Sequence, residues 1–600
     1  MTVEGQLTTR DSIDSTATRD SQATQVDEHK VLEKEKENAG VQEGVEQLAD
    51  DERVREGRGK GFRFWAVFAS LLVATFMAAL EQTALSTALP SISASLDATA
   101  DESWIANAYL LASAAWMPWA GGLAQIFGRR PVLLAGLAFF ALGSILCGAA
   151  VNMNMMLAGR GIQGAGGGII FVLVEVVLSD IVPLSERGVY QGCFSCVWTL
   201  ASATGPIIGG AFASFDWTWL FWINLPLSAL VAAVVVAFMR LKAPEGRWMD
   251  KLGKMDWIGN LVFIPSISVL ILGLVSGGTS HSWSSAYVLA PIICGAAGLV
   301  AWFFVEKHYV EHPTVPFAAL MNRTSIVGFV TNFLHGVIAL SVYYMWPAYF
   351  QSAKAYSTIT SAVDFLPVVC IVSPMALVTG LAVNRTQKYK ALNLAGWVFL
   401  TIGCGLLSIT TASTSRAGWV LLPAVVALGI GINYAAPVFP ILAPLPPSLA
   451  GQALAFQMLV RTAGNVIGIA IGLTTLTNEL ARKLPQAFLD MIPGGASGAY
   501  SSIPLIRHLE EPLKTQVRVA FAQSLRTFWI VLIPFGGVGL LIALCMESIP
   551  LNDATDENWG VKEKKRDSLD SVEKAEESCA ENSQALPPAA AEAVTHAPVI

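Results

Sequence analysis

Four ionisable residues stand out inside long apolar stretches of this 600-residue chain: Glu81, Arg160, Glu175 and Arg461. A charged side chain at hydrocarbon depth is costly, so such residues are candidates for handling ions or substrates. A buried carboxylate stays ionised beside an arginine and takes up a proton when that partner moves away. The residue types therefore indicate proton transfer, with Glu81, Arg160 and Glu175 as the proton-coupling candidates.

The composition shows which kind of structure must position these charges. The chain is 54% hydrophobic and only 14% charged, whereas soluble domains carry about a quarter charged residues. A bilayer core of about 30 Å needs about 20 apolar residues in a helix, because every backbone polar group must be paired within the segment. Fourteen stretches qualify as predicted spans 1 to 14, at 65–89, 104–124, 131–151, 155–178, 192–213, 219–239, 257–276, 286–305, 325–347, 361–383, 391–410, 418–440, 453–476 and 528–546.

The orientation of the spans follows from the short loops, since Lys and Arg resist translocation. With the N-terminus inside, the short outer loops hold only Lys354 and Arg416. The short cytosolic loops hold Arg129, Arg130, Arg187, Arg240, Lys242, Arg247, Lys251, Lys254, Lys307, Arg323, Arg385, Lys388 and Lys390. An even span count then predicts a multi-pass protein with both termini in the cytosol. The segment 479–525 is predicted as a long outer loop with an amphipathic run near Val517–Leu525.

Both ends of the chain differ in composition from the apolar middle. Residues 1–60 carry 9 Lys and Arg against 15 Asp and Glu, and residues 548–600 carry 5 against 11. Polar segments with few aromatic residues cannot bury enough apolar surface to offset the entropy lost on ordering. We therefore predict disordered acidic cytosolic tails at 1–61 and 548–600. The first thirty residues lack an apolar run, so we expect no cleaved signal peptide.

Two parts of the chain resemble each other. Span 2 ends in Gly122 to Ala124 followed by Arg129, and span 10 ends in Gly380 to Ala382 followed by Arg385. This repetition predicts two related six-helix halves, which normally hold the substrate between them near the membrane midplane. The predicted domains are an N-terminal half at 62–240, a linker with two inserted helices at 241–324 and a C-terminal half at 325–547.

Helix geometry relates the depths of the charged residues. Glu81 lies eight residues before Leu89 in an outward-running span, and Arg160 lies about six residues after Asn154 in an inward-running one. At 1.5 Å per residue both are roughly 10 Å below the outer surface, so they could pair. The alternative role is a static ion pair that fixes helix register. Glu175, roughly 22 Å further inward than Arg160, is either a second proton station or an interfacial carboxylate.

Several motifs resemble those of the major facilitator superfamily. The run Gly122 to Arg130 is similar to its loop between helices 2 and 3, and Leu157 to Gly166 is similar to its helix-4 motif. Gly205 to Gly210 resembles a motif associated with antiporters. Leu80 to Pro90 and Trp222 to Pro226 are similar to the fourteen-spanner drug:proton antiporter branch. The loop Ser179 to Gly188 resembles fungal members.

The resemblance implies an all-α polytopic membrane protein of the major facilitator fold, with two six-helix halves and two inserted helices. It implies proton-coupled efflux of drugs, toxins or secondary metabolites across the fungal plasma membrane, with helices 1 and 4 lining the cavity. The implied partners are protons, a small-molecule substrate and the bilayer, for a monomer without nucleic acid, cofactor or metal. The gating candidates are Gly122, Gly128, Arg129, Arg130, Gly205, Pro206, Gly209 and Gly210.

This sequence departs from the family pattern at three positions. Gln125 occupies a place where the family usually has Asp, so one charge of the cytosolic loop is missing. Glu81 replaces the more usual Asp, and Thr218 replaces a common Arg before Trp222. These departures concern gating. The glycines of the antiporter-like motif also have a second explanation, since they could simply pack helix 5 against a neighbour.

A second group of residues consists of weaker candidates for contact with substrate. They are the polar or aromatic residues Asn332, His335, Tyr343, Asn433, Tyr434 and Arg461. His335 could gain or lose a proton near neutral pH, or it could be a hydrogen-bonded structural residue. We expect Trp346 and Tyr349 to belong to the aromatic belt at the membrane interface.

Other function classes are less consistent with the sequence. Proton-coupled uptake, for example of a metal chelate, conflicts with the antiporter-like motif. A non-transporting sensor would be expected to lack Glu81 and Glu175. An enzyme is not expected, because no nucleophile constellation or metal-ligand spacing is present; Cys193 and Cys196 have no second ligand pair nearby. The chain also has no nucleotide-binding loop, so an ATP-driven pump would need another subunit.

Overall fold

The computed structural model describes residues 61–96, 102–240, 255–277, 282–310, 317–492 and 502–551, with 249, 253, 495, 499 and 500 between them. The chain divides into two compact units, Met1–Trp65 and Ala66–Ile600. Of the first unit only 61–65 is described, as the beginning of the first helix. The two tails predicted to be disordered lie almost entirely outside the described residues.

Fourteen long helices make up most of the described chain. In chain order they are α1 (Phe62–Ser95), α2 (Glu102–Phe127), α3 (Arg129–Gly148), α4 (Met153–Ile181), α5 (Leu184–Phe215), α6 (Asn224–Phe238), α7 (Trp257–Ser276), α8 (Ala286–Tyr309), α9 (Arg323–Ser352), α10 (Thr358–Thr386), α11 (Lys390–Leu407), α12 (Arg416–Ala435), α13 (Ala450–Lys483) and α14 (Leu513–Leu544). The short helix Trp219–Trp222 precedes α6, and Val438–Leu442 follows α12. Each of these pairs forms one span, Trp219–Phe238 and Arg416–Leu442.

Over the described residues, 13 helices are long and apolar enough to cross a membrane. They correspond to the predicted spans except span 2, where α2 lies. No side chain of residues 104–127 is exposed, because α2 is enclosed by α4, α7 and α13. A helix that presents little surface to lipid can be less apolar than its neighbours. The predicted all-α membrane architecture of about fourteen spans is confirmed.

The outer connection between α13 and α14 differs from its prediction. α13 continues to Lys483, and α14 begins at Leu513 rather than at 528. The predicted bounds of the long outer loop, 479–525 with an amphipathic run near Val517–Leu525, were therefore wrong, because both ends of this segment are helical. Val517 and Phe521 are buried in the core around α9 and α14, so this run is the first part of α14. Arg518, Gln523 and Ser524 lower the mean hydropathy of the run, which concealed the helix from a search for apolar stretches.

Many helices begin at a side chain that caps them. The Asn152 Oδ1 atom accepts a hydrogen bond from the N–H of Met155 at the start of α4. The Asn322 side chain accepts from Thr324 and Ser325 at the start of α9. The capping residues of α7, α8, α10 and α12 are Asp256, Ser285, Ser357 and Ser415. These caps pair N–H groups that the first turn of a helix leaves free, and so help to define where each helix begins.

Glycines of α4 allow neighbouring helices to approach closely. A Cβ atom on Gly166 would lie 2.7 Å from the carbonyl oxygen of Gly136 in α3, and one on Gly164 would lie 2.9 Å from the Cα atom of Tyr109 in α2. Larger residues at these positions would push the helices apart. The packing therefore depends on small residues, and it brings Arg160, one turn earlier on α4, close to α2.

Two glycosylation sequons test the predicted orientation. Asn322 lies at the start of α9 and Asn384 in the last turn of α10, so alternation of the chain places both on one face, predicted to be cytosolic. We expect both asparagines to remain unmodified in a eukaryotic host, as judged by glycosidase shift and mass spectrometry. A sequon introduced into the outer connection between α13 and α14 is the positive control. A glycan on Asn322 or Asn384 would show that the orientation is inverted.

Candidate functional site

Glu81 and Arg160, which the depth estimate placed at one level, form a direct ion pair. The Arg160 Nη1 atom donates a hydrogen bond to Glu81 Oε1 at 2.5 Å. Only 5% of Glu81 and 1% of Arg160 is exposed. Two opposite charges on α1 and α4 thus compensate each other away from solvent, where either charge alone would be strongly destabilising.

The pair is part of a larger group, the Glu81 cluster, which consists of Glu81, Arg160, Gln163, Ser144 and Asn224. Arg160 also donates to Gln163 Oε1 at 2.6 Å, and the Gln163 amide donates to Ser144 Oγ at 2.9 Å. The Asn224 Nδ2 atom donates to Glu81 Oε2 at 2.6 Å. Both carboxylate oxygens therefore accept a hydrogen bond, one from α4 and one from α6.

Arg160 has partners that do not depend on Glu81. Its Nε atom donates to the Ile105 carbonyl oxygen at 2.8 Å, and its guanidinium lies 4.7 Å from the centre of the Tyr109 ring. Together with Gln163 these contacts hold the guanidinium between α2 and α4. The arginine would therefore keep hydrogen bonds and a cation–π contact if the carboxylate were neutralised or displaced.

Glu175 lies further along α4 than Arg160, toward the C-terminal end of the helix, and is also buried, with 6% of the residue exposed. The Gln191 amide of α5 donates to Glu175 Oε2. Arg187 of α5 and Arg461 of α13 both act electrostatically on this carboxylate. Arg187 itself donates to the backbone oxygens of Ser179 and Val182. The carboxylate is therefore enclosed by helices of the bundle.

Arg461 lies at the centre of polar groups from three helices. Its Nε atom donates to Asn332 Oδ1 at 3.2 Å, and its Nη2 atom donates to the Tyr434 carbonyl oxygen at 3.0 Å. The guanidinium also lies 4.7 Å from the centre of the Tyr434 ring. α9, α12 and α13 are thereby joined around one cation, and Glu175 of α4 acts on this group from the other half of the sequence.

The loop after α2 is held by a buried ion pair. Arg129 donates to both carboxylate oxygens of Asp180, at 2.7 and 3.3 Å, and to the Ala124 carbonyl oxygen at 3.0 Å. Gly128 has φ of 94°, which favours glycine because a side chain would be strained there. Gln125, at the position where the resembled family usually has Asp, contacts the Ser448 carbonyl oxygen at 3.5 Å, just before α13. The loop is therefore bound to α4 by an ion pair. Its contact next to α13 is made by the uncharged Gln125.

The chain is similar to known proteins over most of its length, and not only in these motifs. The model of the Major Facilitator Superfamily matches residues 71–254. A Gibberella fujikuroi protein named efflux pump FUS6 is 34% identical to this chain, over 85% of the chain and 93% of that protein. An Aspergillus oryzae protein named MFS efflux transporter aclA is 36% identical, over 88% of the chain and 97% of that protein. The chain belongs to the major facilitator superfamily.

Solved structures show the same fold as this transporter. The human organic anion transporter MFSD10 (TETRAN) has a TM-score of 0.51, covering 81% of the transporter and 100% of that chain at 14% identity. The proton:xylose symporter XylE has a TM-score of 0.50, with 82% and 98% covered at 13% identity. At such low identity the likeness shows the fold alone. The family membership predicted from the motifs is confirmed.

The gating candidates of the transporter lie in different surroundings. Gly205 of α5 packs against Thr83 of α1, whose hydroxyl donates to the Ala201 carbonyl oxygen at 3.1 Å. Gly122 and Gly210 have open space where a Cβ atom would lie, and Gly209 is buried. Arg130 donates to the Val236 carbonyl oxygen of α6, and the side chain of Pro206 lies outside the described residues. Close packing thus explains Gly205 but not Gly122 or Gly210.

The two predicted halves of the transporter meet along α5 and α10, a contact we call the α5–α10 seam. Ser195 donates to Ser373 Oγ at 3.3 Å, and Ser373 donates to the Ser195 carbonyl oxygen at 3.0 Å. Thr199 also bonds Ser373. Nearer the predicted cytosolic face, a Cβ atom on Gly188 would lie 2.6 Å from the Cα atom of Gly380. The halves are therefore in close contact on this face.

The substrate-contact candidates separate into two groups. Asn332, Tyr434 and Arg461 lie together, as described, and Arg461 also acts electrostatically on Tyr343. Asn433 is instead fully buried against Gly396 of α11, because neighbouring residues on a helix point in directions about 100° apart. Asn433 therefore faces α11 rather than the Arg461 group.

His335, Trp346 and Tyr349 lie inside the helix packing. The His335 Nε2 atom bonds the Ile430 carbonyl oxygen at 3.1 Å, and its Nδ1 atom has no hydrogen-bond partner among the described residues. Trp346 and Tyr349 are fully buried in the core around α9, α12 and α14. The prediction that they form an aromatic belt was wrong, because α14 covers them.

Proposed function

We propose that the transporter exports small amphipathic organic molecules in exchange for protons. Relatives from Gibberella, Fusarium and Aspergillus are named efflux pumps or efflux transporters, which supports export as the direction of transport. The proposed substrates are drugs, toxins or secondary metabolites. The buried Glu81–Arg160 pair supports proton coupling. The proposal extends to a monomer in a fungal plasma membrane, with both termini cytosolic.

The Glu81 cluster is suited to changing its protonation state. When Glu81 is ionised, Arg160 and Asn224 each donate to one carboxylate oxygen. When a proton binds Glu81, Arg160 keeps its bonds to Gln163 and Ile105. The cluster thus offers hydrogen-bond partners in both states, which lowers the cost of moving between them.

A transport cycle follows from this exchange. A proton from the outer side binds Glu81 and weakens its attraction to Arg160, so that α1 and α4 can move relative to each other. The proton leaves toward the cytosol when Arg160 again faces the carboxylate. Glu175 serves as a second station, because it lies nearer the predicted cytosolic face and accepts a hydrogen bond from Gln191.

Substrate is proposed to bind between the halves 62–240 and 325–547, beside Arg461, Tyr434 and Asn332. These groups present a cation, an aromatic face and an amide, which suits molecules with both polar and apolar parts. The α5–α10 seam and the Arg129–Asp180 pair close the cytosolic side, and the gating glycines with Arg129 and Arg130 permit it to open. No part in substrate binding or opening is proposed for the linker and inserted helices at 241–324.

The energy source is tested by two inhibitors. Because the proposed cycle is driven by the proton gradient, a protonophore should collapse export of ethidium from cells that express the transporter, whereas vanadate should leave it unchanged. Cells carrying the empty vector supply the background. The opposite pattern of inhibition would contradict the proposal and indicate a primary pump. Comparing metabolites in the medium of cells with and without the gene then identifies the natural substrate.

A further inference from the structure

The two carboxylate oxygens of Glu81 are held by two different helices. Arg160 of α4 holds Oε1 and Asn224 of α6 holds Oε2. Asn224 is 1% exposed, and it lies at the start of α6, directly after the interruption at Ile223. A buried amide at the break between two helical segments is placed to fix the position of whatever it bonds.

All hydrogen-bond partners described for Glu81 and Arg160 come from the first half of the chain. The charged or titratable groups near Glu81 are Arg160 of α4, Tyr109 of α2 and Cys147 of α3. Among the described residues of α5 and α6, Asn224 is the group that bonds the carboxylate. The Arg461 group is instead built from α9, α12 and α13. The Glu81 cluster and the Arg461 group are therefore separate candidate sites.

A small cavity lies beside the carboxylate. Its volume is about 10 Å³, and it is lined by Glu81 and Asn224 together with apolar side chains of α1, α5 and the start of α6. About 10–15 Å³ accommodates one water molecule, provided that polar partners are present. Ile208 of α5, which lines the cavity, is partly buried, whereas its neighbour Ile207 is 60% exposed. The cavity thus lies between α1, α5 and the start of α6, next to an exposed position of α5.

We propose that Asn224 is a positioning residue that holds Glu81 ready for protonation, and that the proton reaches Glu81 through the water-sized cavity between α1, α5 and α6. The inference rests on the proposed role of Glu81 in proton coupling. The amide donates a hydrogen bond to Glu81 Oε2 and so holds the carboxylate beside the cavity. The cavity has room for one water molecule next to the carboxylate, and its lining contains none of Asn332, Tyr434 and Arg461.

Asn224→Leu tests the positioning role. The substitution has similar volume and removes the donor, so the midpoint of the pH profile of export should move about one unit toward higher pH, a tenfold change in proton affinity. Ser228→Ala is the matched control, since Ser228 lies one turn along α6 and contacts Met77 of α1 rather than Glu81. Its pH profile should not move. Export is normalised to surface protein.

The outcomes separate this inference from the proposed function. An unmoved midpoint in Asn224→Leu, with pH dependence still lost in Glu81→Gln, would overturn the role of Asn224 and leave proton coupling through Glu81 intact. Normal pH dependence in Glu81→Gln would overturn the proposed role of Glu81 in proton coupling, and with it the premise of this inference. If Asn224→Leu does not reach the membrane, Asn224→Ser replaces it: a smaller shift in the same direction supports the inference, and no shift overturns it.

The cavity is tested at Ile208, a partly buried residue of its lining. Ile208→Trp should block the cavity and slow proton-driven export, normalised to surface protein, several-fold, with the pH midpoint unchanged and ethidium binding intact. Leu200→Trp is the control for a tryptophan added to α5, since Leu200 does not line the cavity. Equal export by the two variants would show that protons reach Glu81 by another path.

Discussion

Glu81→Gln is expected to abolish proton-driven export while leaving substrate binding in place. A neutral amide resembles the protonated carboxyl in size and hydrogen bonding, so the variant is held in the proton-loaded state. The transporter can then bind substrate but cannot release a proton. Export normalised to surface protein should fall to the level of the empty vector at every external pH, whereas ethidium binding to purified protein should change little.

Arg160→Ala should also impair transport, for a different reason. It removes the ion-pair partner and leaves Glu81 buried with the Asn224 amide, so that the neutral carboxyl becomes the favoured form. Losing one partner of a buried pair also destabilises a fold by about 3–5 kcal/mol. We therefore expect reduced surface abundance in addition to loss of coupling.

A static role for the pair predicts a different pattern. Both substitutions would then lower the abundance of folded protein, and the molecules that reached the membrane would retain pH-dependent export. Glu479→Gln is a matched control, because it neutralises another membrane-helix carboxylate, one that pairs with Lys483 at 2.6 Å. Normal pH dependence in Glu81→Gln would move the coupling role to Glu175.

Locking the α5–α10 seam is expected to stop export completely and reversibly. The Ser195 and Ser373 hydroxyl oxygens are 3.3 Å apart across the seam, so cysteines at both positions are close enough for a disulfide after small adjustments. If the halves must separate on the predicted cytosolic face to load substrate, the oxidised Ser195→Cys/Ser373→Cys variant should be inactive. Reduction should restore export.

The cross-linking experiment needs a background without nearby thiols. Cys193 and Cys196 flank Ser195, and Cys370 lies one turn from Ser373, so all three are first replaced by alanine. Each single cysteine variant, treated with the same oxidant, is the control and should remain active. Full export by protein with a demonstrated disulfide between positions 195 and 373 would contradict an opening movement at this seam.

The depth of the coupling pair could be predicted because a bilayer restricts helices more than water does. The bilayer has a fixed thickness and a helix rises 1.5 Å per residue, so each residue can be assigned a depth in the membrane. Glu81 and Arg160, which were predicted at the same depth, form an ion pair. Depth does not determine which way a residue faces around its helix. The sequence therefore did not predict Asn224, Gln163 and Ser144 as site residues, although each is a polar residue in an apolar stretch. Gln163 and Asn224 even lie within motifs that resemble those of the family.

Neighbouring positions show the same distinction. Asn433 and Tyr434 have nearly equal depths, yet Asn433 contacts α11 and the Tyr434 ring packs under the Arg461 guanidinium. Trp346 and Tyr349 suit a membrane interface by residue type but are covered by α14. The start of α14 was itself missed, because average hydropathy cannot distinguish a polar loop from a helix that buries one face.

The sequence by itself determined the class of the molecule, the number and order of its helices and the level of its buried charges. These properties depend on local composition and on motifs such as Gly122 to Arg130, which can be read along the chain. Only the tertiary structure decided which residues share a site, as when Asn224 of α6 bonds Glu81 of α1. Such contacts depend on the rotation and close packing of helices, which are set by many small contacts between distant segments.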